Sequence, residues 1–295
     1  MLLAIWLGLN APEIVRAEET GIRVEPLSLE LTVSADQPEA KGVINFKNLT
    51  DQNQFVDFSA IELNTTDSQG NLELLNLAGG KNTNASIFIS LSSASAVLAP
   101  QTDFSLRVVA KNSQSLAPGG HYAGVIARFT SNDLGVNKTQ VLPAVSTLLL
   151  VRKIGGERYH ISLMEVEGSG KQLVFRLPEE FHLTFANEGN IHLVPYGTVE
   201  LIDLFGRVVK RGIINDSSKI IFPQSQRRLT QSIVNLEPSW PAMFYRLRIQ
   251  GTTSPGAVNF GQEFSFIYVS TPALLLIICS LLILVAIKRW KRKRL

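Results

Sequence analysis

The 24-residue run Phe264–Ile287, FSFIYVSTPALLLIICSLLILVAI, carries no charge, and it limits what the rest of the chain can be. As helix it would reach about 36 Å at ~1.5 Å per residue, more than the ~30 Å hydrocarbon core of a bilayer. A helix packed in a water-soluble core normally keeps one polar face. The run therefore predicts a single transmembrane helix within 262–287. Pro272 falls near the helix start, where its missing N–H does no harm. Phe264, Phe266 and Tyr268 belong to a strand leading into it.

Immediately after the run, the tail 288–295 reads KRWKRKRL. Its cations Lys288, Arg289, Lys291, Arg292, Lys293 and Arg294 place that end in the cytoplasm by the positive-inside bias, and Trp290 suits the headgroup boundary. The upstream chain is then expected outside a cell membrane crossed once. At the other end, the apolar Leu2–Leu9 stretch and the small residues Val15 and Ala17 predict a signal peptide over 1–17, although no basic residue precedes the stretch.

Charge has to be read by position. The formal total is +3, but the six tail cations account for more than that, so the remainder is net negative and offers no electrostatic case for nucleic acid. The single cysteine, Cys279, lies inside the apolar run, which excludes an intrachain disulfide and a cysteine-based zinc cluster. Asn-x-Ser/Thr triplets begin at Asn48, Asn64, Asn84, Asn137 and Asn215; a Ser/Thr/Asn-rich β protein produces them by composition, and that is how they are read.

Between these ends the pattern is strand-like. Leu27, Leu29, Leu31 and Val33 alternate with polar residues, as do Phe104, Leu106 and Val108, then Phe181, Leu183 and Phe185, then Met243, Tyr245, Leu247 and Ile249. A period of two puts one row on a core and the other toward solvent. Pro118-Gly119-Gly120, Asn187–Asn190 and Leu204–Gly206 read as turns. Leu91–Ala99 has the composition of a helical turn. RKIGGER at 152–158 interrupts apolar strands and predicts a linker. The expected fold class is all-β: two immunoglobulin-like β-sandwiches, 18–154 and 155–261, ahead of the helix.

No enzymatic constellation stands out. His182 and His192 flank a turn and are expected to face each other across a hairpin, giving at most two metal ligands; neither a metal nor a cofactor is predicted. The candidates for binding are rings and cations. Tyr122, Tyr196 and Trp240 lie in or near Pro/Gly turns, where an aromatic can grip a sugar polymer or a protein. Arg152, Lys153 and Arg158 cluster at the linker.

IRVEPLSLELTVSADQPEAKGVINFKNLTDQNQFVDF resembles the opening of bacterial immunoglobulin-like modules of the pilus-chaperone type, and VLAPQTDFSLRVVAKNSQSLAPGGHYAGVIARFTSND is similar to the WxL-interacting protein family of bacterial surface proteins. The likeness covers Ile22–Asp133 at the level of motifs and the remainder by layout. It implies a membrane-anchored surface binding or scaffolding protein that engages peptidoglycan through the first domain and a partner surface protein through the second. The competing expectation is a tethered chaperone-like assembly factor, with Arg152, Lys153 and Arg158 forming a basic cleft for a partner's terminal carboxylate.

Overall fold

The computed structural model describes residues 21–65, 72–74, 85–130, 144–167, 173–236 and 243–292. The first sandwich holds β1 (Ile22–Glu25), β2 (Ser28–Val33), β3 (Glu39–Asn48), β4 (Gln54–Thr65), β5 (Leu72–Leu74), β6 (Ile89–Leu91), β7 (Ser95–Leu98), β8 (Asp103–Lys111), β9 (Gly119–Thr130) and β10 (Ala144–Lys153). One sheet runs β1-β3-β8-β6; the other runs β2-β10-β9-β4-β5, with β7 also on β4. The first strand is shared between them: β1 pairs β3, the chain crosses at Pro26-Leu27, and β2 pairs β10 in parallel.

The predicted alternation turns inward as the pleat requires. Leu31, Val33, Leu106 and Val108 are buried, together with Phe46, Phe58 and Phe88. Phe58 stacks on Phe104 with ring centroids 5.5 Å apart and meets Phe46 at 5.1 Å. Leu27, at the sheet crossing, is 73% exposed. Leu91–Ala99 is strand rather than helix, because Ser95–Leu98 pairs with Gln54–Asp57; the short helical turn lies earlier, at Ala85–Ile87.

The second sandwich holds β11 (Ile161–Val166), β12 (Leu173–Val174), β13 (Glu180–Asn187), β14 (Val194–Asp203), β15 (Val208–Ile214), β16 (Ser225–Ser232), β17 (Val234–Asn235), β18 (Phe244–Ser254) and β19 (Phe260–Tyr268). Its sheets are β11-β13-β16 and β12-β19-β18-β14-β15-β17. Leu183, Phe185, Leu193, Leu247 and Ile249 form the core, and Phe185 meets Phe260 edge-on at 5.0 Å. The larger sheet carries an ion-pair row on its outer face: Arg211 to Glu200 at 2.8 Å, and Arg248 to Glu263 at 2.6 Å. These side chains lie directly opposite one another across neighbouring strands.

Three buried asparagines fasten strand ends in both sandwiches. Asn48 Nδ2 donates to the carbonyls of Gln52, Leu98 and Ala99. Asn187 Nδ2 donates to Ile191 and Ile221, and Asn215 Nδ2 to Pro195 and Lys219. Asn48 and Asn215 head Asn-x-Ser/Thr triplets, yet they are 0% and 4% exposed, so neither can accept a glycan in the folded chain. The Asn137 triplet lies outside the described residues.

The 24-residue apolar run is divided. Its first five residues are strand: β19 pairs β18 over Phe260–Ile267, and Phe264 and Phe266 pack against the second core. The helix, α1, spans Thr271–Arg292, and its uncharged part, Thr271–Ile287, is about 26 Å long at ~1.5 Å per residue. Among the described residues no helix is long and apolar enough to cross a membrane. The helix is nonetheless unusual for an aqueous protein. The five consecutive residues Leu281, Leu282, Ile283, Leu284 and Val285 are all more than half exposed, so apolar side chains point outward around its whole circumference.

Candidate binding site at the junction of the sandwiches

The two sandwiches meet over a small apolar cluster. Tyr122, Leu150 and Leu63 of the first domain bury against Phe222 of the second, with Leu148 and Ile220 at the margin. Tyr122 meets Phe222 edge-on at 4.9 Å and His192 at 5.7 Å, and its hydroxyl lies 3.4 Å from His192 Nδ1. Gly119 and Gly120 let the second domain come this close. A Cβ on Gly119 would sit 2.6 Å from the Asn190 carbonyl oxygen, and Gly120 N–H donates to that oxygen at 2.8 Å. Asn190 Nδ2 then donates to Pro118 and Gly156, and Arg158 N–H donates to Asn190 Oδ1 at 2.6 Å. The Pro-Gly-Gly signal therefore marks a docking surface at the start of β9 rather than the expected turn, which lies earlier, at Gln114-Ser115.

His192 is 2% exposed. Burial, aided by the Arg152 charge, pushes its pKa from 6.5 down to about 4, so the ring is neutral at physiological pH. A base held neutral by the fold contributes stability that is complete above about pH 6.5 and is lost as pH falls toward about 4, where the folded form also protonates. At ~1.4 kcal/mol per unit the loss is on the order of 3 kcal/mol. The thermal midpoint of the full chain in detergent should drop across that window, and His192→Phe should remove most of the drop; an equal drop in the variant would contradict the assignment.

The sequence-singled residues do not form one patch. Tyr122 is buried in the junction and offers no ring to solvent. Tyr196 is 48% exposed on β14, and Trp240 lies outside the described residues. Lys153 Nζ is committed to the carbonyls of Ser113 and Leu116 at 2.8 and 2.7 Å. Arg152 Nη2 donates to Thr32 Oγ1 at 3.2 Å, while its buried Nε has no partner among the described residues. Lys288, Arg289, Lys291 and Arg292 lie in the last turns of α1; Lys293 and Arg294 fall outside the described residues. His182 and His192 do not face each other: His182 Nδ1 meets Thr230 on β16, 2.9 Å away, whereas His192 lies in the junction. Among the described residues no group of three or more His, Cys, Asp or Glu side chains is placed to hold a metal.

A feature that periodicity alone does not reveal lies beside the junction. β2 covers only Leu148–Lys153 of β10, whereas β9 covers all of it. Leu148 N–H donates to Leu27 C=O at 2.9 Å. Backbone groups alternate sides along a strand, so the N–H and C=O of Ala144 and Ser146 face the same edge, where no described strand pairs with them. A groove of about 390 Å³ lies alongside, lined by Leu63, Gly124, Ile126, Ala144, Ser146 and Leu148. The outward row of β10 continues from it through Leu150 to Arg152. The edge left uncovered by the described strands, the apolar groove and the junction are thus continuous.

No family profile matches the chain, and no curated protein does; the WxL-interacting likeness rests on the sequence motifs alone. Among solved structures the chain is similar to the class 5 fimbriae chaperone CfaA, at 9% identity over 84% of this chain and 99% of that one, with a TM-score of 0.42. It is also similar to the E. coli chaperone DraB, at 11% identity over 83% and 97%, TM-score 0.38. The complex of the Salmonella enterica SafA pilin with the SafB chaperone matches at 10% identity over 84% and 96%, TM-score 0.36. The likeness is one of immunoglobulin-like sandwich folds, and at these scores it carries no argument about binding.

Proposed function

We propose that this chain is a non-enzymatic, membrane-tethered protein that captures an extended segment of a partner surface protein by strand addition, a chaperone-like role in surface assembly. The observation that carries the reading is the half-covered β10, whose Ala144 and Ser146 backbone groups face an edge that no strand among the described residues pairs with, beside an apolar groove. An added strand satisfies such an edge with main-chain hydrogen bonds, and the groove selects among side chains. Arg152, half-buried at the inner end of the same row, supplies positive charge where the segment would enter the junction.

Tethering is supported by α1. Its apolar part falls a few Å short of the ~30 Å core, a mismatch that local thinning and the long stems of Lys288 and Arg289 can accommodate as their charges reach the headgroups. Burying the apolar side chains now exposed all round the helix supplies the driving force. The chain should stay in the pellet when membranes are washed with alkaline carbonate; release into the supernatant would remove the tether.

Ser146→Pro tests strand addition without disturbing the fold. The lost N–H faces away from β9, toward the edge that no described strand pairs with, and proline is tolerated at such edge positions. Recovery of the partner with full-length protein should fall at least about tenfold, since several main-chain bonds and the groove contacts are lost together, while the thermal midpoint stays unchanged. Undiminished recovery would reject the β10 edge as the site.

A further inference from the structure

The end of the second sandwich from which α1 departs is ringed by exposed apolar side chains. The register places them together. Asp203 at the end of β14 lies opposite Tyr245, Phe244 opposite Ile267, and Leu173 also opposite Ile267. Tyr268 N–H donates to Met243 C=O, and Val269 N–H to Val174 C=O, two residues before α1 begins. The β14–β15 hairpin tip, the start of β18 and the segment after β12 therefore surround the root of the helix. Leu204 is 66% exposed, Phe205 77%, Met243 49% and Phe175 59%.

The hairpin tip is held rigidly in this exposed position. Asp203 Oδ1 accepts the N–H groups of Phe205 and Arg207, both at 2.9 Å, and Arg207 Nε donates to Asp203 Oδ2 at 2.8 Å. Gly206 supplies the positive φ of 79° that the reversal needs. The Arg207 guanidinium lies over the Phe205 ring at 5.4 Å, an aromatic-plus-cation pairing suited to a headgroup layer. A groove of about 370 Å³ between Leu204, Phe244, Arg246 and Ile267 opens at the same end. Two of the carboxylates at this end are paired, Asp203 with Arg207 and Glu179 with Arg176.

We infer that this end is a second membrane contact: the Leu204-Phe205 tip, with Met243 and Phe175 around it, seats in the outer headgroup and acyl boundary, fixing the height and tilt of the sandwiches above the bilayer. The occupant is lipid because the patch encircles the root of a helix whose uncharged part, Thr271–Ile287, exposes apolar side chains all round, so a bilayer that receives the helix meets the patch without further ordering. Such a seat would present the β10 edge at a fixed distance from the membrane. The inference rests on the tether proposed above.

The test uses full-length protein in phosphatidylcholine–phosphatidylglycerol vesicles, with Cys279→Ser as background and single spin labels at Phe205→Cys, Ile213→Cys and Leu281→Cys. Ile213 is 64% exposed on β15, opposite Thr198 and far along the sheet from the tip, so it serves as the aqueous reference. The label at 205 should be several-fold less accessible to a water-soluble nickel chelate than that at 213 and should favour oxygen, as the label at 281 does. Nickel access at 205 equal to that at 213, with 281 protected, would overturn the seat and leave the tether standing. Nickel access at 281 would overturn both.

Discussion

A chain ending at Gly261 is expected to lose the second sandwich, whereas one ending at Ser270 keeps it. The nine residues between them include most of β19, which bridges β18 and β12 and places Phe264 and Phe266 against the core. Deleting one fully buried aromatic side chain costs about 3–5 kcal/mol; the loss of two half-buried ones, together with a row of ladder bonds on β18, is comparable with the roughly 5–15 kcal/mol of stability in an ordinary domain. Without β19, Phe260 also loses the strand that holds it against Phe185. Near-ultraviolet circular dichroism and limited proteolysis of the two truncations check this. The shorter one should be cut within 161–261 and the longer one should resist; equal resistance would show that β19 is dispensable.

Asn187→Ala should cost roughly 2–4 kcal/mol, the largest effect of any single polar substitution considered, because its amide joins three backbone segments inside the second sandwich. It donates to Ile191 at 2.8 Å and Ile221 at 2.9 Å and accepts Gly189 N–H at 3.0 Å, with a residue exposure of 1%. Leu193 N–H also donates to the Ile221 carbonyl, which holds the cost below that of three orphaned groups. Asn187→Asp gives a sharper outcome. Its second oxygen would face two carbonyl oxygens, so above about pH 5, where the new carboxylate is ionised, the variant should be less stable than the alanine one and should regain stability on acidification. Denaturant unfolding at pH 7 and pH 4.5 measures both; an Asp variant as stable as wild type at pH 7 would contradict the hydrogen-bond assignment.

The alternating strands were legible because burial on one face leaves a period of two in the residues themselves. Leu31 and Val33, Leu106 and Val108, and Leu183 and Phe185 all turn inward as that period requires. The boundary at the helix was obscured for the same physical reason. Phe264 and Phe266 alternate with Ser265 and Ile267, but this short pattern merges with the apolar helix that follows, and hydropathy alone does not separate a buried strand from a lipid-facing turn. The buried asparagines read as turn formers or as triplets produced by composition because some of their carbonyl partners come from distant segments, such as Leu98 for Asn48. The junction was hidden by separation, with Tyr122 and His192 lying 70 positions apart. Gly119 and Gly120 suggested a turn but open β9, and only the folded surroundings explain why both lack a side chain: the arriving Asn190 carbonyl at Gly119 and the Tyr122 ring at Gly120.

The linker cations show where residue type misleads. A cluster at Arg152, Lys153 and Arg158 suggested a basic cleft, but adjacent residues of a strand point to opposite faces, and Lys153 turns away to cap Ser113 and Leu116. Arg152 alone shares the outward row with Ser146, Leu148 and Leu150. On the proposed strand-capture reading, any effect of Arg152 on a partner belongs to the β10 edge rather than to a charged pocket.

The most direct test of strand capture places a photo-reactive phenylalanine analogue at Ser146 of the full-length protein in the cells that express it, with a second version at Ile213. Strand addition predicts a discrete adduct from position 146 whose crosslinked peptide on the partner is extended and alternating in hydrophobicity, abolished by Leu148→Asp and absent from position 213. Adducts of equal yield from 146 and 213, or an adduct from 146 that survives Leu148→Asp, would contradict it.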